Sequence, residues 1–157
     1  MDNLYKYARQ IVRSLYGNEI KVHKAKESAF NYTTNVLDLN LRDEADKNDD
    51  LGFYRHLRYK HHCRFMSEFS PMIWTIFHEL GHYETQDSYN DKDYNIGLGI
   101  KGLLGMCTYE TMTNSKDLQD LYYNTKEEWV ATEWAIKFVK KNKAQVKKWS
   151  EDLESLR

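Results

Sequence analysis

The sequence is poor in the residues that mark several classes of protein. It has one proline and seven glycines among 157 residues, while 14% are aromatic, which is typical of a compact, largely helical protein rather than a disordered one. Its two cysteines, Cys63 and Cys107, cannot form a disulfide framework, and neither belongs to a CxxC motif. The formal net charge of −1 gives no general attraction to nucleic acids or to anionic membranes.

Long hydrophobic segments are also missing. No stretch reaches the roughly 18 apolar residues that a membrane-spanning helix needs, and residues 1–6 lack the apolar segment of a signal peptide. We therefore expect a cytoplasmic protein that binds neither membranes nor nucleic acid directly. The chain length predicts a single domain over residues 1–157.

The most informative stretch is Phe77-His78-Glu79-Leu80-Gly81-His82, which contains an HExxH motif. Four positions on an α-helix correspond to about 400°, so both imidazoles lie on one face, one turn apart. Two imidazoles in this arrangement can bind one Zn²⁺, with Glu79 beside the metal as a general base. The alternative is a chance pattern with both imidazoles hydrogen-bonded in a core, and we favour the metal site.

The residues around the motif independently predict a helix. Ser70 is a good N-cap, and Pro71 suits the first helical position. Apolar residues then recur at helical spacing, namely Met72, Ile73, Ile76, Phe77 and Leu80. A helix this apolar must be buried, and a metal is the simplest partner for two buried histidines.

The preceding part of the chain predicts a helix followed by strands. Helical spacing of apolar residues ends at Gly17, residues 19–23 are β-like, and residues 29–42 alternate apolar with polar side chains. We expect a small antiparallel sheet beside a mainly helical remainder, which is an α+β fold. An exposed edge of this sheet could hold an extended peptide by main-chain pairing.

Two charged segments precede the motif. Residues 43–50 form an acidic run that we interpret as a solvated loop, and residues 53–65 are basic with interleaved aromatics. The neighbouring acidic run favours local charge pairing over nucleic-acid binding. Within the basic segment, His61-His62-Cys63 has ligand-type side chains that point apart, so we interpret it as structural or as a minor contributor to the cleft.

Glycine and helical patterns dominate the part after the motif. Four of the seven glycines lie within residues 96–106, which we interpret as a flexible apolar flap or a close-packed connection. Residues 117–124 predict a short helix. A long helix should follow it, continuing as a helical stripe to the C-terminus.

A catalytic zinc site usually takes three protein ligands, and no histidine follows His82. The third ligand should therefore be acidic, and Glu84 faces the wrong way on the same helix. The remaining glutamates are Glu110, Glu127, Glu128 and Glu133. Glu128 fits best, because it shares a helix face with small residues that let two helices lie close together. The segment Thr125 to Glu128 also matches a capping box, so Glu127 and Glu110 stay open as alternatives.

The motif and the later helix together resemble a known family. His78-Glu79-Leu80-Gly81-His82 followed by Glu128-Trp129-Val130-Ala131-Thr132-Glu133-Trp134-Ala135 is similar to the gluzincin-like ImmA/IrrE-type metallopeptidases over about residues 70–140. Val130 and Thr132 stand where that family carries a second acid and Asn or Asp. The resemblance implies a small intracellular protease, often carried by phages or mobile elements, that cleaves or inactivates a transcriptional repressor, for instance one with a helix-turn-helix domain.

We therefore expect hydrolysis of peptide bonds in a protein or peptide substrate, with Zn²⁺ bound by His78, His82 and Glu128 and with Glu79 as the general base. Five residues are candidates for stabilising the oxyanion: His23, Tyr83, Tyr109, Tyr122 and Tyr123. The main alternative is a non-catalytic regulator, such as an antirepressor or host-takeover factor, that keeps the zinc fold and binds a partner protein. A zinc hydrolase acting on other substrates is a third interpretation.

Overall fold

A computed structural model describes residues 2–41, 52–106 and 116–157 of the chain. The described α-helices and strands follow in the order α1 (Asn3–Tyr16), β1 (Lys21–Lys24), β2 (Ala29–Asn31), β3 (Val36–Leu39), α2 (Gly52–Tyr59), α3 (Pro71–Thr85), α4 (Asp91–Gly105), α5 (Lys116–Tyr123), α6 (Lys126–Lys141) and α7 (Lys143–Ser155). This combination of many helices with one small sheet confirms the predicted α+β class. None of the described helices has the length and apolar character needed to span a bilayer.

The sheet is mixed, which corrects the expectation of an antiparallel one. Its strand order is β1-β3-β2, with β1 parallel and β2 antiparallel to β3. The predicted strand over residues 29–42 is in fact β2 and β3 joined by a turn, in which the Asn31 side chain accepts the amides of Thr33 and Thr34, both at 3.1 Å. Alternation of side chains is the same in parallel and antiparallel pairs, so the pattern could not predict strand direction.

Helix α3 is the centre of the fold. The Ser70 side chain accepts the amide of Met72 at 3.1 Å, and Pro71 is the first helical residue, as predicted. Every residue from Met72 to His82 is buried, so the helix is covered on all sides. Helix α6 packs against it with its backbone so close that a Cβ on Gly81 would lie 2.3 Å from the Ala131 carbonyl oxygen.

The glycine-rich segment 96–106 is helical up to Gly105, which the sequence did not predict. It forms most of helix α4, which begins with a capping box between Asn90 and Asp93. This cap satisfies the first amides of the helix and offsets part of the low helix propensity of four glycines. The helix leaves several apolar side chains exposed, among them Ile96, Leu98 and Leu103.

Other expectations have mixed outcomes. The short helix predicted over residues 117–124 is α5, and the long C-terminal helical region is α6 and α7, which meet at Asn142. The acidic run 43–50 lies outside the described residues. From the basic segment, Arg55 pairs with Asp120 on helix α5, where both side chains are partly buried.

Candidate metal centre

Three predicted side chains converge between helices α3 and α6. The Nε2 atoms of His78 and His82 face the carboxylate of Glu128, at 2.9 Å from Oε2 and 3.5 Å from Oε1 respectively. One ligand atom from each residue lies within 4.8 Å of the other two. In the described parts of the chain, no other group of three histidine, cysteine or acidic side chains is assembled in this way.

The start of helix α6 determines which glutamate reaches the histidines. Thr125 is the N-cap, but its hydroxyl donates to the Tyr122 carbonyl oxygen at 2.7 Å and forms no side-chain cap. The capping box from Thr125 to Glu128 that the sequence allowed is therefore not formed. Glu128, in the first helical turn, directs its carboxylate at the two imidazoles instead.

Burial and mutual charge set the protonation of these groups. Glu128 is 2% exposed, and both histidines are 6% exposed. Burial alone raises the pKa of Glu128, but His82 and the hydrogen bond with His78 outweigh it and lower that pKa to about 2. Burial lowers the pKa of His82 to about 4. An ionised carboxylate and a neutral imidazole are the forms that bind a metal ion.

Thr132 fixes the orientation of His78. Its hydroxyl donates to the Glu128 carbonyl oxygen at 2.7 Å, so its oxygen accepts from Nδ1 of His78, 3.2 Å away. A proton on Nδ1 leaves Nε2 as the ligand atom. From the sequence, Thr132 was one of the small residues that share a helix face with Glu128, but its contact with His78 was not predicted.

The donor set fits Zn²⁺. Tetrahedral zinc with ligand bonds of about 2.0–2.1 Å has ligand atoms about 3.3 Å apart. The distances to Glu128 are close to this value, at 2.9 Å from His78 to Oε2 and 3.5 Å from His82 to Oε1, so each histidine faces a different carboxylate oxygen. The three ligand atoms of the group lie within 4.8 Å of one another. Two imidazoles with one carboxylate is also the ligand combination of a class of catalytic zinc sites, in which a fourth position stays open.

No protein-family model, curated protein or solved structure matches this chain.

A cleft opens on two sides of Glu79. A cavity of about 340 Å³ is bordered by Phe53, His78 and Tyr123, and a second one of about 170 Å³ by Phe30, Tyr94 and Leu98. Both cavities share a set of lining residues, namely Ser28, Glu79, Lys101, Tyr122 and Glu128. Glu79 thus lies where the two cavities meet, beside the candidate ligands.

Tyr122 is the oxyanion candidate that contacts the ligand group directly. Its hydroxyl hydrogen-bonds the Glu128 carboxylate, and burial together with the charge of Glu128 raises the pKa of Tyr122 well above its usual range. The phenol is therefore protonated at neutral pH and can donate a hydrogen bond. Tyr123 lines the larger cavity beside it.

The other oxyanion candidates lie elsewhere. Tyr83 donates to Glu19 at the surface. His23 is on strand β1, with Nδ1 3.9 Å from the Asp38 carboxylate. Tyr109 is outside the described residues.

The alternative acidic ligands are not part of the assembled group. Glu127 lies on the other side of the His82 ring, with Oε1 3.7 Å from Nδ1. Glu133 is partly exposed and pairs with Lys137, and Glu84 accepts a hydrogen bond from Tyr16. Glu110 lies outside the described residues.

The triplet His61-His62-Cys63 does not reach the candidate ligands. Nε2 of His61 is 3.1 Å from Nε2 of His56, and the His61 ring lies 4.1 Å from the Trp129 ring. Cys63 is buried in the core. The triplet therefore contacts helix α6 through Trp129 and lines neither cavity of the cleft, which agrees with a structural role.

Proposed function

We propose that this chain is a zinc-dependent metallopeptidase, gluzincin-like and similar to the ImmA/IrrE type. The observation that carries the proposal is the convergence of Glu128 from helix α6 on the two histidines of the HExxH helix. A buried carboxylate between two imidazoles fits a zinc site, and an intact Glu79 beside an open cleft fits a catalytic one.

Each residue has a defined role in this proposal. Bound Zn²⁺ supplies Lewis-acid chemistry, which makes water nucleophilic at neutral pH and polarises a carbonyl oxygen. Glu79 accepts a proton from the attacking water and later gives it to the leaving amine. Tyr122 lines both cavities, and its single hydroxyl proton, which the Glu128 carboxylate accepts in this structure, would have to turn toward the developing oxyanion during the reaction.

The shape of the cleft supports a peptide as substrate. Space on both sides of Glu79 accommodates a chain that continues in both directions from the bond to be cleaved. Strand β2 is at an edge of the sheet, and Ala29 and Phe30 from this strand line the smaller cavity. An edge strand can pair with an extended peptide by main-chain hydrogen bonds. We propose a cytoplasmic regulatory protein, of the repressor type, as the natural substrate.

Replacing the general base tests the proposal. Glu79→Gln keeps the side-chain shape, so zinc content and folding should persist, while hydrolysis should fall by a factor on the order of 10² to 10⁴. The assay follows cleavage of a mixture of unstructured peptides with and without a chelator. Glu84→Gln is the matched control, because Glu84 is on the same helix but contacts Tyr16 at the surface.

Three results would contradict the proposal. Equal cleavage by wild type and Glu79→Gln would remove Glu79 from the mechanism. Cleavage that a chelator leaves unchanged would remove the metal. A regulatory effect on a partner protein that persists in Glu79→Gln, with no cleavage by either form, would favour the non-catalytic regulator.

A further inference from the structure

The two candidate histidine ligands differ in what their second ring nitrogen meets. Nδ1 of His78 has Thr132 as its partner, at 3.2 Å. Nδ1 of His82 is buried and makes no hydrogen bond with any residue that the structure describes. A buried polar atom without a partner destabilises the folded state, so native structures rarely contain one.

A second buried carboxylate lies close to this atom. Oε1 of Glu127 lies 3.7 Å from Nδ1 of His82, slightly beyond hydrogen-bond distance. Glu127 is 9% exposed and is next to the candidate ligand Glu128 in the chain. Adjacent residues on a helix point about 100° apart, which brings one carboxylate to each side of the His82 ring.

Other parts of the chain hold Glu127 in this position. The Tyr32 hydroxyl donates to Glu127 Oε1 at 3.0 Å and also hydrogen-bonds the Tyr89 hydroxyl. Helix α4 approaches from another side, where a Cβ on Gly97 would lie 3.0 Å from Oε2 of Glu127. The carboxylate is thus enclosed by the turn after β2, by α4 and by its own helix rather than extended into solvent.

We propose that Glu127 is a positioning residue that accepts the Nδ1 proton of His82 and so presents Nε2 of that histidine to the metal. Histidines that bind metal ions usually donate their other ring N–H to a carboxylate, a carbonyl or water, which fixes the tautomer and the ring orientation. Tyr32 holds Glu127 in the orientation that accepts this proton. The inference rests on the metal centre proposed above.

The first measurement is zinc affinity, obtained by competition with a chromogenic chelator. Loss of such a carboxylate typically weakens metal binding by about 10- to 100-fold, so we expect this for Glu127→Ala. Glu127→Gln keeps an acceptor without the charge, so its loss should be smaller, below about 10-fold. Glu133→Ala is the matched control, because Glu133 is on the same helix but is partly exposed and pairs with Lys137 instead of a histidine ligand.

The second measurement separates positioning from a general effect on helix α6. In zinc-loaded protein labelled with ¹⁵N-histidine, NMR should show Nδ1–H signals of His78 and His82. Glu127→Ala should shift the His82 signal or lose it by exchange with water, while the His78 signal, held by Thr132, should stay. Tyr32→Phe should shift the His82 signal in the same direction by a smaller amount.

The outcomes distinguish this inference from the proposed function. If wild type binds zinc and Glu127→Ala binds it as tightly, with an unchanged His82 signal, the role of Glu127 is refuted and the metal centre stands. If Glu127→Ala shifts both histidine signals equally, Glu127 supports the helix and does not position His82. A wild-type protein that binds no zinc refutes both.

Discussion

Replacing Gly81 by alanine should force apart the two helices that carry the proposed ligands. The new Cβ would lie 2.3 Å from the carbonyl oxygen of Ala131 and 2.9 Å from its carbonyl carbon, whereas ordinary contacts begin near 3.4 Å. The obstacle is backbone within helix α6, which no side-chain rotation can move. The helices must therefore separate locally by about 1 Å.

The expected loss of stability follows from two opposing effects. Inserting a methyl group into a close-packed interior costs about 1–3 kcal/mol, and a clash with backbone belongs at the upper end. Alanine in place of glycine in a helix interior returns up to about 1 kcal/mol. The free energy of unfolding should therefore fall by about 2 kcal/mol.

The same displacement should weaken metal binding. His78 and His82 are on one helix and Glu128 is on the other, so separating the helices lengthens both ligand-to-ligand distances. Because tetrahedral zinc accepts ligand bonds within about 0.2 Å of their usual lengths, a shift near 1 Å should reduce affinity by at least about 10-fold.

Urea denaturation of the metal-free protein and chelator competition measure the two effects separately. Gly99→Ala is the control, because a Cβ there meets nothing within 4 Å in the middle of helix α4. That variant should be more stable than wild type by about 0.5–1 kcal/mol. A Gly81→Ala protein as stable as wild type, with unchanged zinc affinity, would refute the close approach of α3 and α6.

Two further predictions follow from the ionisable groups. Wild type should carry about one Zn²⁺ per chain, His78→Ala or His82→Ala should abolish tight zinc binding, and Glu128→Gln should weaken it strongly. Elemental analysis after desalting measures the zinc content. Full zinc occupancy in all three variants would refute the ligand assignment. Burial, reinforced at His56 by the charge of His61, lowers the pKa of His56 and of His61 to about 4 from 6.5. In the unfolded chain these histidines take up protons already near pH 6.5, so the free energy of unfolding of the metal-free protein should fall as the pH drops from about 6.5 toward 4. Urea denaturation across this range should show the decline. A free energy of unfolding that rises on acidification would contradict it.

Features that depend on a single helix could be predicted from local signals in the sequence. Ser70 and Pro71 mark the start of helix α3 because capping and the fixed φ of proline act within one turn. The apolar residues that follow then predicted that this helix is buried. Glu128 could be preferred over its neighbours because a glutamate and an alanine three positions later lie on one side of a helix.

Features that depend on distant residues could not be predicted in this way. The direction of strand β1 relative to β3 depends on the route of the chain through β2. Tyr32 reaches Glu127 across 95 residues of sequence, and no local pattern marks such a contact. Helix α4 was missed because four glycines outweigh the capping signal of Asn90 and Asp93 when propensity alone is considered.

The geometry of the proposed centre follows from a correspondence between the two helices. On α3, His78 and His82 stand three residues before and one residue after Gly81; on α6, Glu128 and Thr132 stand in the same positions around Ala131. Positions separated by three and four residues share a helix face, so the side chains on either side of each small residue face the other helix. The closest contact of the helices thus places four polar side chains opposite one another.

This correspondence separates Glu128 from the other glutamates of helix α6. Three residues after Glu127 stands Val130, and three residues after Glu133 stands Ile136, whereas Ala131 follows Glu128 at that distance. Among Val130, Ala131 and Ile136, only the alanine is small enough to let the backbone of α6 reach Gly81, because a larger side chain at the contact would hold the helices apart. An acidic residue three positions before a small one is therefore the local pattern that marks the proposed third ligand, and on this helix Glu128 is the glutamate that satisfies it.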